Sequence, residues 1–387
     1  MTVSRQSAVR FIVALGTISL FADVTYEGAR SINGPFLATL GAGAAVVGIV
    51  SGAGELAGYV LRLFSGIAVD RTRDYWALTI VGYIINLLAV PCMAFAGNWG
   101  VAAALIIAER AGKALRTPAR DVMLSQSAAA IGRGWGFGLH EFMDQLGAFI
   151  GPLFVAAVIV TSHQYSRAYA LLAIPAGLAL AALFTANRLY PDPSRFEEPR
   201  SAEPARGVFP RAFWIYTAAA GLLAAGFVDF PLIAYHFRKI SLVPPAEIPV
   251  FYAVAMGVEA LTALLLGKLY DRIGTPVLIA GAVMAAASSP LVFLGPVFAA
   301  LVGIALWGAG MGAQQSSLRA KIADLVPAER RGAAYGIFNT VYGILWFGGS
   351  SAIGILYERS RAWAVAFAVV AQIAAIPLLL TVRRRSA

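Results

Sequence analysis

Long apolar stretches alternate with short polar segments along the chain, and this pattern predicts membrane-spanning helices. Six apolar stretches precede residue 188, at 10–30, 45–68, 76–97, 99–120, 134–160 and 168–187. Six more follow residue 210, at 211–236, 247–270, 275–294, 296–320, 332–356 and 361–382. Each is close to the roughly 20 residues that an α-helix needs to cross a bilayer. We therefore predict an all-α integral membrane protein with twelve transmembrane helices in two six-helix bundles.

The segment between the two sets is rich in proline and charge, as expected of a flexible linker. We predict an N-terminal bundle at 1–187, a linker at 188–210 and a C-terminal bundle at 211–387. Most of the 30 Lys and Arg residues fall in segments that one topology places in the cytoplasm. The positive-inside rule then predicts that both termini and the linker are cytoplasmic in a multi-pass protein of the cell's plasma membrane, the inner membrane of a bacterium.

Composition changes this interpretation little but excludes several function classes. Hydrophobic residues make up 59% of the chain and charged residues 13%, against about a quarter in soluble domains. The net charge of +10 follows from the orientation signal, so we predict no nucleic-acid partner. Cys92 is the only cysteine and there are three histidines, so we predict no metal and no cofactor.

The first apolar stretch follows a basic N-terminus and is interpreted as a membrane helix, because many further spans follow it. The sequence shows no nucleotide-binding glycine loop and no serine elbow. An enzyme and an ATP-driven pump are therefore not expected. A membrane assembly scaffold remains an alternative from another functional class.

Three short motifs recur in the same order in both halves. Phe21-Ala22-Asp23 returns as Phe227-Val228-Asp229, and Arg133-Gly134-x-x-Phe137-Gly138 returns as Arg331-Gly332-x-x-Tyr335-Gly336. The third motif, Gly66-x-x-x-Asp70-Arg71, returns as Gly267-x-x-x-Asp271-Arg272. Transporters built from two repeats hold their site near the bilayer midplane, where the repeats meet, and work by rocking one half against the other. The repeats therefore predict two pseudo-symmetric bundles and a transport function.

The third motif resembles the signature loop of the major facilitator superfamily, in which Gly, three residues, Asp and Arg precede a glycine and basic residues. In the second half the match extends to Gly274, whereas Thr72-Arg73-Asp74 departs from it in the first half. The resemblance implies alternating access, with gating loops made of the motif residues Gly66, Asp70, Arg71, Gly267, Asp271 and Arg272. A simple tight loop that carries an orientation signal is the alternative.

Two further features resemble this family in part. Arg110, in the middle of the fourth span, is similar to a buried arginine associated with proton coupling, although Ala114 replaces the expected glycine. Gly147-x-x-x-Gly151-Pro152 in the fifth span is similar to the start of the antiporter motif, but Val155 and Ala156 replace its last two glycines. The resemblance implies export, and the small residues predict a close approach of the fifth and eighth spans.

The fourth and fifth spans carry most of the chemistry expected at membrane depth. Arg110, Lys113, Arg116 and Arg120 share one broad helix face, and His140, Glu141 and Asp144 lie within about one turn of each other. A short basic loop at 125–133 is predicted between the two spans. Ionisable groups inside the bilayer are costly, so they are expected to face a polar cavity.

Each of these residues also has a structural interpretation. Arg116 and Arg120 lie near the predicted cytoplasmic end, where long side chains can reach the headgroups. Arg110 is too far from either face for that, but a structural ion pair with Glu109 or Asp144 is an alternative. His140 is interpreted first as a hydrogen-bonded helix histidine and second as a proton relay.

The first two spans add acidic groups. Asp23, Glu27 and Arg30 share one face of the first span, and Glu55 and Arg62 share one face of the second. A carboxylate in a low-dielectric environment binds a proton more readily than one in water. Asp23, Glu55 and Asp144 are the candidate proton carriers. Permanent pairing with Arg30, Arg62 or Arg110 is the competing interpretation.

The second half contributes fewer charges. Its candidate contacts to a substrate or proton are Asp229, Asn339, Tyr342 and Trp346, although membrane aromatics more often face lipid. The leading hypothesis is a monomeric secondary transporter in the lipid bilayer that exports a small organic molecule in exchange for protons. The alternative within transport is proton-linked uptake of an organic ion.

Overall fold

The protein is all-helical wherever its structure is described. The computed structural model describes residues 5–129, 133–191, 209–326 and 330–382. The helices of the first part of the chain are α1 (Arg5–Thr39), α2 (Ala44–Thr72), α3 (Tyr75–Cys92), α4 (Trp99–Ala129), α5 (Arg133–Ser162), α6 (Tyr165–Leu171) and α7 (Ala173–Leu189). The second part contains α8 (Arg211–Gly226), α9 (Phe230–Lys239), α10 (Ile248–Ile273), α11 (Thr275–Leu294), α12 (Val297–Leu325), α13 (Arg331–Arg359) and α14 (Arg361–Thr381).

These fourteen helices account for the twelve predicted spans, which confirms the fold class. The sixth span consists of α6 and α7, and the seventh consists of α8 and α9. By length and composition, eleven of the spans are apolar enough to cross a membrane. The remaining one is α4, which carries Glu109, Arg110, Lys113 and Arg116 within its apolar stretch.

Several helices run further than the hydropathy pattern predicted. The predicted loop at 125–133 is wrong over 125–129, because α4 continues to Ala129, and at Arg133, where α5 begins. Residues 130–132 lie outside the described part. The reason for the longer α4 is packing: Met123, Leu124 and Ala128 are buried and continue the apolar face of the helix.

The repeated Gly-x-x-x-Asp-Arg motifs also lie on helices and not in loops, which corrects the predicted location. Gly66 to Arg71 belong to the last turns of α2, and Gly267 to Arg272 to the last turns of α10. No helix breaker separates the glycine from the aspartate in either copy. α10 ends only at Ile273 and is followed by Gly274, whose φ of 69° favours glycine.

The chain forms two compact units, and α1 and α2 each contribute to both. Unit 1 contains residues 1–33 and 57–201, and unit 2 contains residues 34–56 and 202–387. The boundaries predicted from the sequence stay a prediction.

Glycines bring helix backbones close together in unit 1. Gly147 and Gly151 on α5 meet the backbone of α1 at Leu20 and Val24, so a Cβ atom at either glycine would clash. Their predicted approach to the eighth span stays a prediction. Gly82 on α3 and Gly112 on α4 make a second close backbone contact. These contacts fix α1 beside α5 and α3 beside α4, which positions the charged side chains described below.

In unit 2, the helix of the seventh predicted span is interrupted by a short non-helical segment. α8 ends at Gly226, residues 227–229 are not helical, and α9 begins at Phe230 with Pro231 in its first turn. Proline favours this interruption because it has no N–H for the preceding turn. The freed backbone carbonyl groups find side-chain donors: Trp307 donates to Val228 at 2.8 Å and Gln372 donates to Leu223 at 2.8 Å.

Candidate functional site

A buried cluster of ionisable side chains occupies the interior of unit 1. It is built on α1, α3, α4 and α5, and it combines predicted site residues with partners that the sequence did not identify. Its charged and hydrogen-bonding members are Ser19, Asp23, Tyr26, Glu27, Tyr83, Glu109, Arg110, Lys113, Arg116, Arg120, His140 and Asp144. We call this set the charged cluster.

Arg120 and Asp144 connect α4 with α5. The Arg120 guanidinium lies 3.7 Å from the Asp144 carboxylate and 2.9 Å from Asp121, and it donates to Ser19 at 3.1 Å. His140 contacts the same two partners, with Nδ1 3.6 Å from Asp144 and Nε2 3.1 Å from Ser19. Arg120 therefore pairs inside unit 1, and the interpretation that it extends to the headgroups is wrong.

Lys113 connects α4 with α1. Its ammonium lies 3.8 Å from a Glu27 carboxylate oxygen and 3.9 Å from the centre of the Tyr26 ring. The side chain of Glu27 is 9% exposed and that of Lys113 is 26% exposed. This ion pair joins two of the predicted site residues.

Arg110 pairs with its neighbour in sequence. Its Nε lies 3.3 Å from Glu109, whose other carboxylate oxygen accepts a hydrogen bond of 2.9 Å from Asn86. The structural alternative predicted for Arg110, a pair with Glu109, is thus present in the structure.

Arg116 is the most deeply buried cation of the cluster. Its side chain is fully buried, with the guanidinium carbon 4.1 Å from the ring centre of Tyr83 and 5.8 Å from that of Tyr26. Within the described part of the chain, none of its three side-chain nitrogens has a hydrogen-bond partner. Aromatic rings thus cover its charge, and no acid among the described residues lies within ion-pair distance of it. The interpretation that Arg116 extends to the headgroups is therefore wrong as well.

Asp23 is a buried acid that, like Arg116, has no hydrogen-bond partner among the described residues. It is 5% exposed on α1, and among the residues that the structure describes it makes no hydrogen bond or ion pair. Its carboxyl group lies within electrostatic range of Asp144, Lys113, Glu27 and Arg116. The cluster therefore contains one buried acid and one buried cation that are not paired, on facing helices.

The other charges predicted in the first two spans and in α5 are less buried. Arg30, Glu55 and Arg62 are half-buried, and Arg62 lies 6.0 Å from the ring of Tyr59. Glu55 belongs to unit 2. Glu141 is exposed and accepts a hydrogen bond from Gln145 at 3.2 Å. Of the predicted acids in unit 1, Asp23, Glu27 and Asp144 are the ones placed in the charged cluster.

Unit 2 brings together a row of aromatic side chains. Phe338, Tyr342 and Trp346 follow one face of α13, with successive ring centres 5.7 and 5.5 Å apart. Tyr216 stacks on one end of the row and Phe227 packs on the other, at 6.0 and 5.8 Å. These rings are buried, so Tyr342 and Trp346 pack within the unit.

Asp229 lies at the interruption between α8 and α9 and is held by two donors. The Trp346 indole donates to one carboxylate oxygen at 2.9 Å, and the Ser350 hydroxyl donates to the other at 2.5 Å. Asn339 is half-buried on the same helix as both donors. A second polar contact, between Gln315 and Glu259 at 2.6 Å, joins α12 to α10.

The residues of the predicted gate lie at helix ends. Arg71, Asp271 and Arg272 are exposed, and the side chain of Asp70 lies outside the described residues. Across the residues that the structure describes, no group of three His, Cys, Asp or Glu side chains is placed to hold a metal ion.

Sequence reasoning missed Ser19, Tyr26, Tyr83 and Asp121. Serine and tyrosine are common in membrane helices, and nothing in their spacing distinguishes a partner of a charge from a packing residue. A signal was available for Tyr26 alone, because it lies between Asp23 and Glu27 and one helical turn before Arg30.

A family model described as Major Facilitator Superfamily matches residues 14–350 and 276–386 of the chain. An uncharacterized protein of Mycobacterium tuberculosis is 41% identical over 383 residues, which cover 97% of this chain and 94% of that protein. An uncharacterized MFS-type transporter of Methanocaldococcus jannaschii is 23% identical over 365 residues, or 90% of this chain and 89% of that protein.

Solved transporter structures share the fold. The nucleoside transporter NupG superposes with a TM-score of 0.78 at 14% identity, over 95% of this chain and 99% of that one. A D-xylose–proton symporter superposes with a TM-score of 0.69 at 13% identity, over 96% and 97% of the two chains.

Proposed function

The chain belongs to the Major Facilitator Superfamily and is a transporter of the secondary type, and we propose that protons drive it to move a small organic molecule by alternating access. Asp23 carries this proposal. It is a buried carboxyl group without a hydrogen bond or ion pair to the described residues. Buried, unpaired ionisable groups in a membrane protein mark ion and substrate pathways.

The surroundings of Asp23 suit a group that alternates between two protonation states. Two cations, Lys113 and Arg116, and two acids, Asp144 and Glu27, lie within its electrostatic range. When opposite charges compete around a carboxyl group, a small change in their positions changes its proton affinity. A conformational cycle that displaces one of these neighbours would therefore bind and release a proton.

Asp144 is the second proposed acceptor of the proton. It shares its environment with Asp23, and His140 and Arg120 contact its carboxylate. Ser19 links His140 with Arg120. These contacts support a relay from Asp144 to Asp23 on adjacent helices.

For the direction of transport, we propose export by exchange with protons as the first candidate. Its support is the partial antiporter motif, whose Gly147 and Gly151 pack tightly against α1. Proton-linked uptake is the second candidate. It is supported by Arg116, because an unpaired cation beside a protonated acid suits a substrate that enters together with a proton.

We further propose a monomer in the plasma membrane with both termini in the cytoplasm. The distribution of positive charge supports this topology. Reporter fusions at Ser201 and Ser162 should report opposite sides of the membrane. The same side for both would contradict it.

The proposed function is tested by counterflow of candidate solutes into proteoliposomes that contain the purified protein. An acidic exterior should drive solute accumulation in uptake with protons and solute loss in exchange against protons. Asp23→Asn should abolish the effect of the gradient on either process. Arg167→Lys, an exposed conservative change on α6, is the matched control.

A solute that exchanges at the same rate with and without the gradient would contradict proton coupling. A gradient effect that survives Asp23→Asn would instead reject Asp23 and leave Asp144 as the carrier.

A further inference from the structure

The feature that goes beyond this function is the unpaired guanidinium of Arg116. Around it, the other cations of α4 have acidic partners: Arg110 has Glu109, Lys113 has Glu27, and Arg120 has Asp121 and Asp144. Arg116 has only the faces of Tyr83 and Tyr26 among the residues described.

Aromatic rings do not replace an anion for a fully buried guanidinium. A cation–π contact returns less free energy than the loss of water costs a buried charge. Arginine also presents its donors in a planar fork, which matches the two oxygens of a carboxylate or phosphate group. An anion that reaches Arg116 would therefore bind strongly.

We propose that Arg116 binds the anionic group of the substrate, so that the protein transports an organic anion. This inference rests on the proposed proton-coupled transport. The guanidinium is sealed from solvent here, so Tyr26 and Tyr83 must move aside for a ligand to enter. Movements of this size belong to the conformational cycle of a transporter.

Asp23 competes with the substrate for Arg116. It is the unpaired acid of the charged cluster and lies within electrostatic range of the guanidinium. When Asp23 has lost its proton, its carboxylate attracts Arg116 and weakens anion binding. When Asp23 holds a proton, Arg116 is available. Proton and anion then bind together, so this inference favours the second candidate for direction, uptake with protons, over export by exchange.

Asp144 is the other acid within electrostatic range of Arg116, but Arg120 and His140 already contact its carboxylate. On α4, Lys113 and Arg120 are paired with acids, and on α1 Glu27 is paired with Lys113. On α5, Asp144 and His140 contact each other. From α3, the Tyr83 hydroxyl contacts Ser19 at 3.3 Å while its ring covers Arg116.

The experiment compares benzoate with benzamide, which have the same ring and differ in charge. Purified full-length protein is unfolded by heat with each compound, and its tryptophan fluorescence gives the transition. Ligand that binds the folded state raises the transition temperature by mass action. Benzoate should raise it in a saturable way and benzamide should not. The apparent affinity for benzoate should be higher at pH 6 than at pH 8.

Three variants test which residues cause the benzoate shift and its pH dependence. Arg116→Gln should abolish the benzoate shift, and Arg116→Lys should weaken binding at least about tenfold because the planar fork is lost. Asp23→Asn should bind benzoate with the same affinity at both pH values, equal to that of the parent at pH 6. Arg167→Lys should behave as the parent.

Equal shifts with benzoate and benzamide, or no shift with either, would overturn the proposal. So would a benzoate shift that survives Arg116→Gln. A pH dependence that survives Asp23→Asn would overturn the competition with Asp23. Counterflow that responds to a proton gradient without any benzoate binding would reject this inference and leave the proposed function standing.

Discussion

Two copies of one sequence motif have different structures in the two units. Phe21-Ala22-Asp23 lies inside the continuous helix α1, whereas Phe227-Val228-Asp229 forms the interruption between α8 and α9. Asp23 makes no hydrogen bond with the described residues and lies among charges. Asp229 receives hydrogen bonds from Trp346 and Ser350. The repeat preserves a carboxyl group at corresponding places, but its surroundings differ: charged groups lie around Asp23, and hydrogen-bond donors hold Asp229.

The largest expected effect concerns transport. Asp23→Asn should reduce gradient-driven solute flux to that of protein-free liposomes, because an amide cannot accept the proton. Asp229→Asn should retain most of the flux, since an amide oxygen still accepts a bond from Trp346. Solute flux in proteoliposomes under an imposed pH gradient measures both. Equal loss of flux in the two variants would contradict the comparison.

Stability should show the opposite order. Asp229→Ala leaves the Trp346 indole and the Ser350 hydroxyl unpaired in a buried place, which costs about 1–3 kcal/mol for each donor. Asp23→Ala removes no hydrogen bond and relieves the burial of a carboxyl group, so we expect little loss of stability. Denaturant unfolding in detergent measures the difference. A larger destabilisation by Asp23→Ala would reverse the assignment of roles.

A smaller change separates the hydrogen bond from the ring packing at Asp229. Trp346→Phe keeps a ring between Tyr342 and Phe227 and removes one bond to a carboxylate, which is worth about 1.5–3 kcal/mol. The matched variant Trp307→Phe removes the bond to the Val228 carbonyl, worth about 0.5–1.5 kcal/mol. Comparable losses would mean that the indole packing, and not the charge of Asp229, fixes the interruption.

The smallest effect on stability is expected at Asp271, the aspartate of the Gly-x-x-x-Asp-Arg motif in the second half of the chain. Asp271 is exposed at the end of α10, so Asp271→Asn should change the free energy of unfolding by less than about 0.5 kcal/mol. If Asp271 holds a gate by charge pairing, the variant should still slow counterflow. Unchanged flux in Asp271→Asn and Asp70→Asn would remove the gating role of both residues.

The sequence was sufficient to predict the twelve membrane spans, but not to predict where a span is interrupted. Hydropathy identifies eleven of the spans because lipid requires long apolar helices, and α4 is the exception because of its charges. Hydropathy averages over about 20 residues and does not detect a short non-helical segment within a span. The separation of α8 from α9 was therefore missed. Pro231 was the available signal, but proline occurs in continuous membrane helices as well, as Pro118 in α4 and Pro152 in α5 show.

The sequence predicted most charged members of the cluster, but of their pairings it offered only the alternative between Arg110 and Glu109 that the structure contains. Helical spacing placed Lys113 and Arg116 on one face of α4, because that face depends only on residues of the same helix. Their partners lie on α1 and α3, and the contacts depend on the close approach of glycines such as Gly82 and Gly112. Arg120 was interpreted as a headgroup contact because its span was predicted to end at residue 120, whereas α4 continues to Ala129.

The interruption of the seventh span also constrains the order in which the protein is made. Val228 and Leu223 receive their hydrogen bonds from Trp307 and Gln372, residues that the ribosome adds 79 and 149 positions later. In lipid, an unpaired carbonyl costs several kcal/mol. The newly inserted segment 211–239 is therefore expected to cross the bilayer first as one unbroken helix. It can open at residues 227–229 only after α12 and α14 have been inserted beside it, so the final shape of this span is acquired late in biogenesis.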